Sequence, residues 1–75
     1  MDYRLYLESK PDVMLGKPVI KGTRVTVALV LQMLSEGASA EDIIAAYPHL
    51  KPIHISAVLA YASDVIANET LISAA

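Results

Sequence analysis

Ser39-Ala40-Glu41-Asp42-Ile43-Ile44-Ala45-Ala46-Tyr47-Pro48-His49-Leu50-Lys51-Pro52 is the stretch that decides how this chain folds. Ser39 is placed to cap a helix, and Asp42, three residues on, stands where a capping box has its glutamate. Glu41 and Asp42 put negative charge into the first turn, where the helix dipole favours it. Ile43, Ile44 and Tyr47 supply an apolar side. Pro48 stops the helix, because the residue ahead of a proline is pushed out of the helical region. Pro52 then suits the first position of a new helix, where a missing N–H leaves no bond unmade. The stretch reads as helix, turn, helix, and Pro48–Lys51 has the length of the turn in a helix-turn-helix.

Downstream, the helix opened by Pro52 runs to about Asn68. Ile55, Val58, Leu59, Ala62 and Ile66 form its expected buried stripe, with His54, Ala57, Tyr61, Asp64 and Asn68 on another face. Residues Leu71 to Ala75 either extend it or fray. Upstream, Thr26 caps a helix over Val27 to Glu36, and Gly37 ends it. Val27, Val30, Leu31 and Leu34 repeat at i, i+3, i+4 and i+7 as its core stripe, which leaves Leu29 and Met33 outside. Tyr3-Arg4-Leu5-Tyr6-Leu7-Glu8 alternates as a strand does, with Tyr3, Leu5 and Leu7 on one face. Pro11 marks a turn. Val13 to Val25 then reads as a tight hairpin or hooked loop, with Gly22 supplying a positive φ between two β-branched pieces. The layout is one domain over residues 1–75, with strand and hooked loop in 1–25 and three helices in 26–70.

The 75 residues are 55% hydrophobic and 19% charged, with a net charge of −2, so disorder is excluded for most of the chain. The mean hydropathy of +0.47 is high for so small a domain. Part of the apolar surface is expected to be covered by a partner or a second copy. No apolar run reaches the roughly 20 residues of a membrane span. Met1-Asp2-Tyr3-Arg4 does not read as a secretory signal, and the expected location is cytoplasmic. With no cysteine, disulfides and thiol chemistry are impossible. Charge is unevenly spread. Lys10, Lys17, Lys21 and Arg24 against Asp12 give residues 10–24 a net +3, while residues 36–75 carry −4. The basic segment is either ordinary loop lysines or a surface that faces something anionic.

The run Gly16-Lys17-Pro18-Val19-Ile20-Lys21-Gly22-Thr23-Arg24-Val25-Thr26-Val27 resembles the signature of a small bacterial family, domain-of-unknown-function family number 433. The resemblance continues through Leu34-Ser35-Glu36-Gly37, Tyr47-Pro48-His49-Leu50 and Ala57-Val58-Leu59-Ala60-Tyr61-Ala62, and covers about residues 5 to 67. It implies a mostly α fold, a three-helix homeodomain-like or winged-helix-like helix-turn-helix behind the N-terminal strand or hairpin. It also implies a homodimer with an antitoxin-like role, one that binds and silences a PIN-like ribonuclease toxin and binds its own promoter DNA. The chain departs from the family at Lys51-Pro52-Ile53-His54-Ile55, where a capping hydroxyl and first-turn acids are usual. The departure removes about 1 kcal/mol of capping. It leaves a neutral-to-basic helix start suited to phosphate.

The candidate DNA contacts are Lys17, Lys21, Arg24, His49, Lys51 and His54. Arg24 reads first as a structural anchor to a carboxylate or carbonyl, since its fork suits loop-fixing hydrogen bonds, and second as a DNA contact. Against DNA binding, the third helix has no Lys or Arg between Pro52 and Asn68, where a recognition helix usually offers them. The candidate dimer or partner seam is Tyr3, Leu5, Leu7, Leu29, Met33, Ala57 and Tyr61, with strand pairing across a two-fold axis covering a bare edge. Other chemistries find no footing. Gly16 to Thr23 lacks the lysine after the second glycine that a phosphate loop needs. His49 and His54 are five apart, off one helix face, and do not make a zinc pair. No serine has a base in reach, so no enzyme, cofactor or small-molecule ligand is expected. Two readings stand: an antitoxin-like, DNA-binding dimer, and a protein-interaction or dimerisation module that keeps the shape without binding DNA.

Overall fold

The computed structural model describes residues 1–68. The expected extension or fraying of residues 71–75, and the last two positions of the 26–70 helical region, lie outside them. The fold is mostly helical, with a two-stranded antiparallel hairpin at the N-terminus.

The strand expected over residues 3–8 is largely replaced. Asp2 caps a single 3-10 turn at Tyr3–Leu5; its carboxylate accepts from the Arg4 N–H at 3.1 Å. Only β1 (Leu7–Glu8) is extended, against β2 (Val19–Ile20), with Leu7 opposite Ile20 and Glu8 opposite Val19. The alternation was real, but a strand needs a partner. β2 is two residues long before the chain turns; beyond it Lys21 N–H still reaches the Tyr6 carbonyl at 2.9 Å, but Tyr3–Leu5 has nothing to pair with and the local cap of Asp2 wins.

The loop between β2 and the first helix is tightly bonded. Thr23 N–H reaches the Ile20 carbonyl at 3.0 Å, and Gly22 stands at φ +74°, the third position of a type II turn. Thr23 Oγ1 donates to the same carbonyl at 2.7 Å and accepts from Val25 N–H at 3.0 Å. Glu8 accepts from Gly22 N–H at 3.0 Å, which ties the turn to β1.

Helix α1 (Val27–Ser35) starts at Thr26, whose hydroxyl accepts from Leu29 N–H at 3.0 Å. It ends in a Schellman closure: Gly37, at φ +98°, donates to Leu34, and Ala38 donates to Met33. Helix α2 (Ala40–Ala46) opens with the expected capping box. Asp42 N–H donates to Ser39 Oγ at 3.0 Å, and Ser39 N–H donates to Asp42 at 2.9 Å. Helix α3 (Pro52–Ala67) has its proline in the first turn.

The core gathers Leu7, Ile20, Val25, Val27, Val30, Ile43, Leu50, Ile55, Ala57 and Val58. Leu50, from the turn between α2 and α3, is buried and holds that turn onto the core. On α3 the expected stripe is corrected. Ile55 and Val58 are buried, but so is Ala57, while Leu59 is 49% and Ile66 64% exposed. The reason is length. At about 1.5 Å per residue, α3 with 16 residues outruns α1 with 9 and α2 with 7 by about 10 Å or more. Ser63 to Asn68 are accordingly all exposed.

Candidate functional site

The cationic candidates divide. Lys17, Lys21, Arg24, His49 and Lys51 are exposed. The ion pairs among the described residues are Arg4–Asp2 at 3.1 Å and Lys10–Glu8 at 3.8 Å, so Lys17, Lys21, Arg24 and Lys51 make none. The anchoring expected of Arg24 is done instead by Thr23 and Glu8, whose bonds fix the loop. His54 is drawn inward. Its Nδ1 accepts from Lys51 N–H at 2.9 Å, and its ring meets Tyr6 edge-on with centroids 6.0 Å apart. Accepting at Nδ1 places the ring proton on Nε2. The imidazole thus stands where a capping box has its Glu or Gln side chain, and α3 recovers part of the capping its sequence was expected to lose.

The apolar candidates divide too. Leu7 and Ala57 lie in the chain's own core and are not available to a seam. Tyr3 is engaged within the chain: its ring packs edge-to-face on Tyr61 at 5.4 Å, and its hydroxyl donates to Asp64. That bond to a carboxylate holds the Tyr3 phenol above its usual range. Beside it, the hydrogen bond from Arg4 holds the Asp2 carboxyl below its ordinary value. Leu29, Met33 and Tyr61 are half-buried, and Leu5 is 63% exposed. Strand pairing through residues 3–8 loses its basis, since the segment is a 3-10 turn followed by two paired residues.

The structure opens a different apolar surface. Ser56, Leu59, Ala60, Ser63, Ile66 and Ala67 recur at three- and four-residue steps, so they share one face of α3. None of these six side chains is charged. The one carboxylate of α3, Asp64, flanks that face beside Ala60 and Ala67 and accepts from the Tyr3 hydroxyl. Sequence reasoning placed Leu59 and Ile66 in the core; the available signal was a third helix more than twice the length of the second.

Met14 and Leu15 were also missed. With Gly16 they form a left-handed turn at φ +49°, +58° and +78°, closed by Gly16 N–H to Val13 at 3.1 Å and Lys17 N–H to Met14 at 3.2 Å. Left-handed backbone costs an L-residue about 1–2 kcal/mol. Leu15 is 91% exposed. Two bulky apolar residues before Gly16-Lys17-Pro18, in a loop with little of its own to bury them, were the signal.

Among the described residues, no group of three His, Cys, Asp or Glu is placed to hold a metal, and no helix is long and apolar enough to cross a membrane. The family model described as Protein of unknown function (DUF433) matches residues 7–62. That span runs from β1 well into α3, and the chain belongs to this family. No curated protein and no solved structure matches it.

Proposed function

We propose that this chain is an antitoxin-like regulator that acts by binding protein. Two copies meet through the outer face of α3, and the dimer occupies the surface of a partner protein. A PIN-like ribonuclease is the partner class that the family resemblance implies. The observation that carries this reading is the row of uncharged side chains along α3, with Leu59 49% and Ile66 64% exposed and the flanking Asp64 taken up by the Tyr3 hydroxyl. A two-fold axis sets each residue beside its own copy or a near neighbour's, so a face without charge joins itself without repulsion. Exposed aliphatic side chains on a helix without Lys or Arg also fit poorly against a phosphate backbone.

A second reading, promoter binding, draws on four exposed cations without ion pairs among the described residues, Lys17, Lys21, Arg24 and Lys51. A dimer doubles their number, and such contacts give binding that falls steeply with salt. Expression of the chain together with the product of its neighbouring gene, followed by light scattering of the purified material, tests the first reading. A stable complex of dimer and partner supports it; a chain that ignores its neighbour sinks the partner half. A salt titration on the upstream DNA tests the second, and no binding at low salt ends it.

A further inference from the structure

The turn Met14-Leu15-Gly16 does nothing for the fold that a glycine or asparagine would not do better. Both are residues that enter the left-handed region cheaply. Instead, two bulky L-residues are held there, by two successive i to i+3 bonds. The result is a side chain with almost no protein against it, Leu15 at 91% exposure, beside Met14 at 40%. Loop tips are ordinarily polar. Strained backbone of this kind clusters at ligand clamps and binding sites.

The surroundings have a definite chemistry. Pro11 and Pro18 bracket the turn and fix their own φ, which stiffens the segment. Leu15 borders a shallow hollow with Ser9, Lys10, Pro11 and Gly16. Lys17 follows directly, and Lys17, Lys21 and Arg24 have no ion pair among the described residues. An apolar knob on a stiff base, with the exposed Lys17 two positions on, is complementary to an apolar socket edged by carboxylates.

We propose that Leu15 is a preformed plug that enters such a socket on a protein partner, with Lys17 reaching the acidic rim. This rests on the reading that the chain binds a protein partner, and it names the element that docks. A second copy of the chain offers a poor match: its apolar hollow between Tyr3, Leu7, Pro18 and Tyr61 has Arg4 on the rim, and the one carboxylate there, Glu8, is already engaged by Gly22 N–H and Lys10, while Asp64 is held by Tyr3. A lipid bilayer is disfavoured as well. One leucine and one methionine bury little apolar area, and stable anchoring takes two strong signals. A plug already rigid before docking loses little conformational freedom on binding, which favours affinity.

The test measures affinity of purified variants for the neighbouring gene's product, beside their melting temperatures. Leu15→Gly is the informative variant, since it removes the plug and relieves the backbone together. It is expected to melt no lower than wild type and to bind about 10- to 100-fold more weakly, as loss of one buried leucine side chain predicts. Lys17→Glu is expected to weaken binding as well, and most at low salt. Wild-type affinity in both Leu15→Gly and Leu15→Asp overturns the plug while leaving the partner reading intact. If the wild-type chain itself binds nothing, the partner reading falls and takes the plug with it. Binding of the wild type to vesicles of anionic phosphatidylglycerol, lost in Leu15→Gly, also overturns the proposal by giving the plug to a membrane.

Discussion

The loop from Val13 to Val25 enters the left-handed backbone region twice, with opposite kinds of residue. At Lys21-Gly22 the positive φ falls on a glycine. The turn is bonded on both sides by Thr23 and Glu8, and it leads straight into buried Ile20 and Val25. At Met14-Leu15-Gly16 the positive φ falls first on methionine and leucine, and their side chains point to solvent. The first turn is built for stability; the second accepts strain to display an apolar side chain. The two lie within ten residues of each other, so different tasks for neighbouring pieces of one loop are the natural explanation.

Ile20→Ala should give the largest effect, because Ile20 has no exposure and anchors the Gly22 turn. Truncation of such a side chain costs about 2–5 kcal/mol. In so small a domain that lowers the melting temperature by about 10 °C or more, or prevents folding. Leu15→Ala, by contrast, should leave thermal stability within about 0.5 kcal/mol, as exposed substitutions do. Equal losses at the two positions would erase the distinction between the turns.

Gly22→Ala should cost about 1 kcal/mol. Beyond the two chain neighbours no atom lies within 4 Å of the added Cβ, so the penalty there is backbone conformation alone. Leu15→Gly should show the reverse sign or no change. Chemical denaturation of the pair sharpens the comparison, and matching destabilisation of both would break it.

The starts of α2 and α3 repeat the contrast at lower amplitude. Ser39→Ala removes a standard cap and should cost about 1 kcal/mol. His54→Ala removes an improvised one and should cost about as much or less, with His54→Gln restoring most of it. Thermal melts distinguish them; full loss in His54→Gln would mean that the edge contact with Tyr6, and not the cap, is what matters.

The smallest effects are in pH dependence, and they arise outside the loop. Hydrogen bonds from Ser39 hold the Asp42 carboxyl below its ordinary 3.8. Its contribution is fully present above that value and is lost as pH falls through the lowered one. Tyr3 is held above its ordinary 10.0 by its bond to Asp64, so its contribution is full below that value and is lost as pH rises through the raised one. Asp42→Asn should flatten the acid limb of a stability profile, and Tyr3→Phe the alkaline limb. Unchanged limbs would refute these assignments.

Local signals in the sequence were read correctly. Thr26, Gly37, Ser39 with Asp42, Pro48, Pro52 and Gly22 each act on neighbours a few residues away, and each sits where its chemistry placed it. What depended on distant partners was not legible. Whether residues 3–8 form a strand depended on the length of β2. Which face of α3 is buried depended on how far α1 and α2 reach, and on a contact from Tyr3 to Asp64 that spans 61 positions. The candidate site was half-visible for the same reason. The exposed cations were found, but Leu15, Leu59 and Ile66 become surface features only once the fold shows what leaves them uncovered.

The solution mass of the purified chain, by light scattering at tens of micromolar, tests most directly whether the open face of α3 is a protein-binding surface. Twice the chain mass of 8.1 kDa is expected for the wild type, falling to a single chain in Leu59→Asp with the fold intact by circular dichroism. A wild-type chain that runs at 8.1 kDa, or a dimer that survives Leu59→Asp and Ile66→Asp together, would contradict the account.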